Sequence, residues 1–207
     1  MAGAASRIGM RLGTVLDGMS RYFIRRIYLV GRRGVLMDVL KTVPHSAKEA
    51  SQMLHDALVG TGLTIATAES LTGGDVGGTI CTVAGASEYY RGGVISYASA
   101  VKASVLGVNE ELLAKNGSVD PEVARQMAQG TARICGADYG VSTTGVAGPE
   151  PHDGKPVGTV FLGVHTPEAT YAVQRHYEGD RVQIRASATA DAILLLTQAV
   201  HGTKDAS

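Results

Sequence analysis

Tryptophan is absent from this 207-residue chain and phenylalanine occurs only twice, so stacking platforms for single-stranded nucleic acid are poorly supplied. Cysteine is nearly as scarce. Cys81 and Cys135 are too few for a disulfide scaffold and lack a Cys-x-x-Cys spacing, which fits two small buried thiols in a reducing cytoplasm. The six histidines are scattered, with no His-x-x-x-His or His-Glu-x-x-His pair to set two ligands on one helix face, so no structural or catalytic zinc is expected; no cofactor is expected either. Net charge is missing too: Lys plus Arg equals Asp plus Glu at 19 each, and no overall field draws nucleic acid or an acidic membrane. Apolar runs are interrupted by Gly and charge before they reach a bilayer's thickness. What is present, 44% hydrophobic and 18% charged residues in 21.4 kDa, is the composition of one globular domain.

The neutral average hides a division. Residues 1–36 carry seven arginines (Arg7, Arg11, Arg21, Arg25, Arg26, Arg32, Arg33) against one acid, Asp17, leaving 12 basic and 18 acidic residues from Met37 onward, a balance of −6. Residues 1–44 therefore read as an Arg-rich, poorly ordered extension, with a surface-binding arm and a targeting segment as the alternatives, and 45–203 as the folded domain.

From Ser46 the pattern becomes periodic. Ala50, Met53, Leu54, Ala57 and Leu58 line one helix face behind a Ser46 cap. A strand at 63–67, a Gly-rich helix at 72–84 and a strand at 92–98 follow. Asp120-Pro121 opens a helix that ends near Gly136, then come a strand at 138–144, a loop at 145–156, a hairpin of 157–165 with 169–177, and a last helix from 180 to 201. Helices between strands imply parallel crossovers and the hairpin adds an antiparallel pair, so the expected fold is α/β, a three-layer α/β/α sandwich with a mixed, mostly parallel sheet.

In such a sheet the ligand crevice lies beyond the carboxyl ends of the strands. Three segments there are chemically loaded. Ala68-Glu69-Ser70-Leu71-Thr72-Gly73-Gly74 is a strand-to-helix turn with two hydroxyls and paired glycines, suited to holding an anion or a developing oxyanion, although Ser70 or Thr72 could equally be a plain cap. It is neither a Gly-x-Gly-x-x-Gly fingerprint nor a P-loop. Tyr97-Ala98-Ser99-Ala100-Val101-Lys102 places a lysine in the first turn of a helix, where the macrodipole disfavours its charge, with no acid between Arg91 and Asn109 to pair with it. A lysine acting as base must fall to a pKa of roughly 7–8, so desolvation in a cleft must supply most of the shift; the plain alternative is a solvated helix lysine. Ser142-Thr143-Thr144-Gly145-Val146-Ala147-Gly148-Pro149 runs from a strand into a Gly-Pro loop. Arg181, after Gly179-Asp180, is a candidate clamp for an anionic group.

Taken in order, Thr67-Ala68-Glu69-Ser70-Leu71-Thr72-Gly73-Gly74, Gly92-Gly93-Val94-Ile95-Ser96-Tyr97 with Lys102, Gly145-Val146-Ala147-Gly148-Pro149, Lys155-Pro156-Val157-Gly158 and Gly179-Asp180-Arg181 resemble the CinA C-terminal domain family over about 46–200. That resemblance implies a metal-free serine amidohydrolase that converts nicotinamide mononucleotide to nicotinate mononucleotide and ammonia. It implies Ser70 as nucleophile, Lys102 as base and Tyr97 as an assisting residue, with Thr72, Gly73, Gly74, Thr144, Gly145 and Arg181 toward the substrate. The chain departs from the family pattern at Ser99, where Asn is frequent, and at Glu150-Pro151, where a Gly-Gly pair is frequent. The implied partner is a small nucleotide, with no nucleic acid or membrane, in a cytoplasmic homo-oligomer. The competing readings are a non-catalytic nucleotide-binding module of the same fold, and a DNA-associated factor, which a domain balance of −6 disfavours.

Overall fold

The computed structural model describes residues 36–37 and 46–204. Apart from Leu36–Met37, the expected Arg-rich extension lies outside the described residues. Six strands form one sheet in the order β1-β6-β5-β4-β2-β3. They are β1 (Leu36–Met37), β2 (Ile65–Glu69), β3 (Tyr90–Ile95), β4 (Tyr139–Gly145), β5 (Thr159–His165) and β6 (Thr170–His176). β2 pairs in parallel with both β3 and β4, and β1 in parallel with β6, while β4–β5 and β5–β6 are antiparallel. The sheet is mixed as expected.

Helices cover both faces. On one lie α1 (Ala47–Leu58), α2 (Asp75–Ile80) and α6 (Arg181–Lys204), and on the other α3 (Ser99–Ser104), α4 (Glu110–Asn116) and α5 (Pro121–Cys135). The first helix starts where the sequence placed it, with a reciprocal cap: Ser46 Oγ accepts the Glu49 amide at 3.2 Å and Glu49 Oε2 accepts the Ser46 amide at 2.9 Å. Its Ala50, Leu54, Ala57 and Leu58 are buried against the last helix, and so form the largest core cluster with Ile184, Ile193, Leu196 and the sheet. On the opposite face Asp120 caps α5 through the Glu122 and Val123 amides, Pro121 occupies its first turn, and Gly136 ends it in the left-handed conformation. Among the described residues no helix is long and apolar enough to cross a membrane.

Three expectations need correction. The Gly-rich helix is confined to Asp75–Ile80, because Gly73 and Gly74 have φ of 64° and 107° and form a turn before it. The first buried strand begins later and runs through Glu69, so the motif glutamate belongs to the sheet rather than to the turn. Helix α4 was not anticipated, although Asn109 caps it, two acids follow and Gly117 ends it. The cysteines also differ from the sequence reading: Cys81 is exposed and Cys135 only partly buried.

Candidate active site

Strands β2, β3 and β4 run parallel, so the segments leaving their carboxyl ends meet at one edge of the sheet. The ladder continues one residue past β2: the Ser70 amide donates to the Thr143 carbonyl at 2.9 Å, and the Ser96 amide to the Glu69 carbonyl at 2.8 Å. Ser70 is thereby delivered between the ends of its two neighbouring strands. Lys102, on the helix that follows β3, reaches the same point. Its Nζ lies 3.0 Å from Ser70 Oγ, 2.7 Å from the Ser96 carbonyl and 3.4 Å from the Tyr97 carbonyl.

The electrostatics of this contact follow from burial. Lys102 is wholly inaccessible to solvent and Ser70 nearly so. Among the described residues no carboxylate pairs with the amine, and desolvation lowers its pKa from 10.5 to about 8, partly opposed by the charge of Asp153. Asp153 is itself held below its ordinary value, against its own desolvation, by the Ser118 and Val119 amides and the Ser118 hydroxyl. The dipole argument made from sequence contributes little, because α3 has six residues and Lys102 is the fourth, in its last turn as much as its first. Two carbonyls take two N–H groups of an uncharged amine, which leaves its lone pair for the Ser70 hydroxyl. The arrangement can remove a proton from Ser70.

Tyr97 and Arg181 stand at the mouth. The tyrosine ring is largely exposed, and its hydroxyl accepts from Arg181 Nη2 at 3.0 Å while Nη1 donates to the Gly148 carbonyl at 2.8 Å. The guanidinium thus bridges the loop after β3 and the loop after β4. The remaining sequence-derived candidates are placed differently. Thr72 is buried with its hydroxyl on Glu69 and Thr143, both at 2.7 Å, and the Gly74 amide is also taken by Glu69. The Gly73 amide closes the turn onto the Ser70 carbonyl at 3.1 Å. Thr144 is fully buried with its hydroxyl on the Ser118 carbonyl, and Gly145 backs onto β5, where an added Cβ would stand 2.6 Å from the Thr159 carbonyl. These five positions therefore shape the turn and the loop, and offer a ligand fewer free donors than their side chains suggested.

Sequence reasoning gave no role to Ser96, whose carbonyl grips the lysine, to Asp153, or to Arg185, which donates to the Thr72 carbonyl and to Asp75. It also passed over Glu69, the one charged residue in a fully buried strand, and that incongruity was the available signal. Among the described residues no group of three His, Cys, Asp or Glu side chains converges on a point that a metal ion could occupy.

The chain has counterparts among known proteins. The family model for the CinA C-terminal domain matches residues 47–200. A CinA-like protein of Frankia casuarinae is 46% identical over 145 residues, 70% of this chain and 34% of that protein. Another, from Anaeromyxobacter dehalogenans, is 46% identical over 147 residues, 70% of this chain and 36% of its own length. The chain thus spans about a third of the length of the curated relatives it matches. Solved structures of matching length exist as well. The competence damage-inducible protein A of Klebsiella pneumoniae superposes with a TM-score of 0.73 at 30% identity, covering 76% of this chain and 98% of that one. A competence/damage inducible protein of Agrobacterium tumefaciens gives 0.72 at 31% identity, covering 76% and 97%. With the family match spanning most of its length and the fold shared with those structures, the chain belongs to the CinA C-terminal domain family.

Proposed function

We propose that the protein is a serine amidohydrolase that releases ammonia from the carboxamide of nicotinamide mononucleotide, with Ser70 as nucleophile and Lys102 as base. The observation that carries the reading is the 3.0 Å contact between Ser70 Oγ and a fully buried lysine whose other hydrogen-bond partners among the described residues are carbonyls. Phosphate binding alone needs no such pair. With a pKa near 8, about one Lys102 in five is neutral near pH 7.4, against about one in a thousand for an ordinary lysine. Burial thus raises the supply of free base by a factor on the order of a few hundred.

In the proposed reaction neutral Lys102 takes the Ser70 proton as the oxygen attacks the carboxamide carbon. The oxyanion that forms requires N–H donors, and the amides around the paired glycines are taken: Gly74, Val76 and Gly77 donate to Glu69, and Gly73 to the Ser70 carbonyl. Among the described residues the Leu71 and Thr72 amides have no acceptor, although both residues are buried. A buried unpartnered amide costs about 1–3 kcal/mol, so two in succession directly after the nucleophile suit an oxyanion hole. The carbon–nitrogen bond then breaks as the Lys102 ammonium returns its proton to the departing nitrogen. Water, deprotonated by the same amine, hydrolyses the acyl-serine and frees the carboxylate. Arg181 spends two of five N–H donors on Tyr97 and Gly148, and the others are assigned to the substrate phosphate.

Ammonia release from nicotinamide mononucleotide by the wild type, Ser70→Ala and Lys102→Ala tests this. Each variant is expected to lose at least about 10³-fold in kcat. Comparable turnover in all three removes the mechanism, and a folded wild type that binds the nucleotide without releasing ammonia restores the binding-module reading.

A further inference from the structure

A carboxylate immediately before a nucleophilic serine could repel its alkoxide, act on the base, or hold the backbone. Glu69 is 2% exposed, and four donors converge on it from the turn that follows and the start of α2. Oε2 accepts the Thr72 hydroxyl at 2.7 Å and the amides of Gly74 and Val76 at 2.9 and 3.0 Å, and Oε1 accepts the Gly77 amide at 2.8 Å. The Thr72 hydroxyl in turn meets Thr143 Oγ1 at 2.7 Å, which joins the turn to the end of β4. Neither carboxylate oxygen contacts Lys102. The first amides of α2, which from sequence looked ready for a substrate phosphate, are therefore already occupied by an anion from the chain itself.

We propose that Glu69 is a positioning residue: by gathering the Thr72 hydroxyl and the Gly74, Val76 and Gly77 amides it fixes the turn, so that Ser70 Oγ faces Lys102 while the Leu71 and Thr72 amides stay free for the oxyanion. The geometry divides the donors into two sets. Downstream of Thr72 the Gly74, Val76 and Gly77 amides are bound by the internal carboxylate and the Gly73 and Asp75 amides by the Ser70 and Thr72 carbonyls, while those directly after Ser70 are left open. Without the carboxylate, three amides would compete for any anion in the crevice and the Thr72 hydroxyl, which meets Thr143, would lose its acceptor in Glu69. The reaction served is the acyl transfer proposed above, and the role rests on that reading.

The test follows Ser70 itself, with a fluorophosphonate as probe and intact mass as readout, because phosphonylation needs the activated serine and its amide donors but no nucleotide. Glu69→Gln keeps the side chain's volume and exchanges one acceptor for a donor. Its Ser70 labelling is expected to slow at least about tenfold, and its kcat on nicotinamide mononucleotide to fall in parallel with KM retained. The pH midpoint of labelling is expected to stay at the wild-type value, since Lys102 is untouched. Should Glu69→Gln fail to fold, Thr72→Val carries the test: it removes the hydroxyl between Glu69 and Thr143, spares every backbone amide and is expected to slow labelling about threefold. A wild-type labelling rate in the folded variant overturns the proposal, as does a displaced pH midpoint, which would mean that Glu69 acts on the base. Wild-type protein that labels at Ser70 yet leaves nicotinamide mononucleotide intact overturns the substrate reading alone, and slow labelling of the variant then still supports Glu69 in its role.

Discussion

A lysine buried without a carboxylate partner weakens the fold whenever it is charged, and this fixes the direction of two pH effects at Lys102. Its pKa is depressed from 10.5 to about 8, so the unfolded chain binds more protons between those values and stability rises with pH across that window. The full difference is about 3 kcal/mol, all of it a cost below pH 8. Lys102→Met should therefore be more stable than wild type at pH 7, with the advantage shrinking as pH rises, measured by denaturant unfolding from pH 7.5 to 9.5. Tyr177 does not disturb that range: burial and Asp191 push its hydroxyl up, and a raised tyrosine loses stability only above about pH 10. A lead that stays constant with pH would mean the ammonium is not desolvated. Catalysis moves the same way, with kcat/KM for ammonia release expected to rise to a plateau through a midpoint near 8; a profile flat from pH 6 to 10 would remove Lys102 as the base. At this scale the sequence was legible where one residue sufficed. Ser70 and Lys102 each follow a parallel strand, and adjacency of strand ends makes them meet. The role of Glu69 was not legible, since its partners at 74, 76 and 77 come within reach only through two left-handed glycines in succession.

Helix α5 shows how element packing was partly written in composition. Ala124, Ala128 and Ala132 recur every four residues and make a smooth stripe, and β4 and β5 meet it with Gly140 and Gly163. A Cβ at Gly140 would collide with the Ala128 carbonyl, and one at Gly163 with the Ala124 carbonyl, which Ser142 Oγ also needs at 2.6 Å. Backbone cannot yield as a side-chain tip can. Gly140→Ala and Gly163→Ala are each expected to cost at least about 2 kcal/mol in chemical denaturation. Gly78→Ala, in the exposed face of α2 with open space around its missing Cβ, is expected to add about 0.5–1 kcal/mol. Equal effects at all three positions would show that α5 does not sit this close to the sheet. Capping signals located α1 and α5 to within a residue or two, because Ser46 and Asp120 act locally. The same signals at Asn109 were overlooked, for the seven residues of α4 bury no side chain fully and so leave no apolar stripe to notice.

Every group assigned to the chemistry falls between Glu69 and Arg181, on the ends of three neighbouring parallel strands and the start of α6. Alternation of helix and strand made that architecture readable, and the hairpin at 159–176 explains why the sheet is mixed rather than parallel throughout. Asp153 was hidden because the long loop at 145–156 has no period from which its contact with Ser118 and Val119 could be inferred. The charge division has a consequence at this same scale. Seven of the 19 basic residues precede Leu36, whereas the groups assigned to the site, Ser70, Lys102, Tyr97 and Arg181, all lie after it and bond to one another and to Ser96 and Gly148. A chain beginning at residue 36 keeps the β1 pairing with β6 and carries a balance of −6. It is expected to release ammonia from nicotinamide mononucleotide within about twofold of the full chain, since no catalytic group is removed. It should also fail to retain duplex DNA at low salt, where binding without sequence preference depends on lysine and arginine neutralising phosphates. Steady-state kinetics and a mobility-shift titration on both chains read these outcomes. A large loss of turnover would put residues 1–35 into the catalytic unit, and salt-sensitive DNA binding by the shortened chain would locate a basic surface on the domain itself.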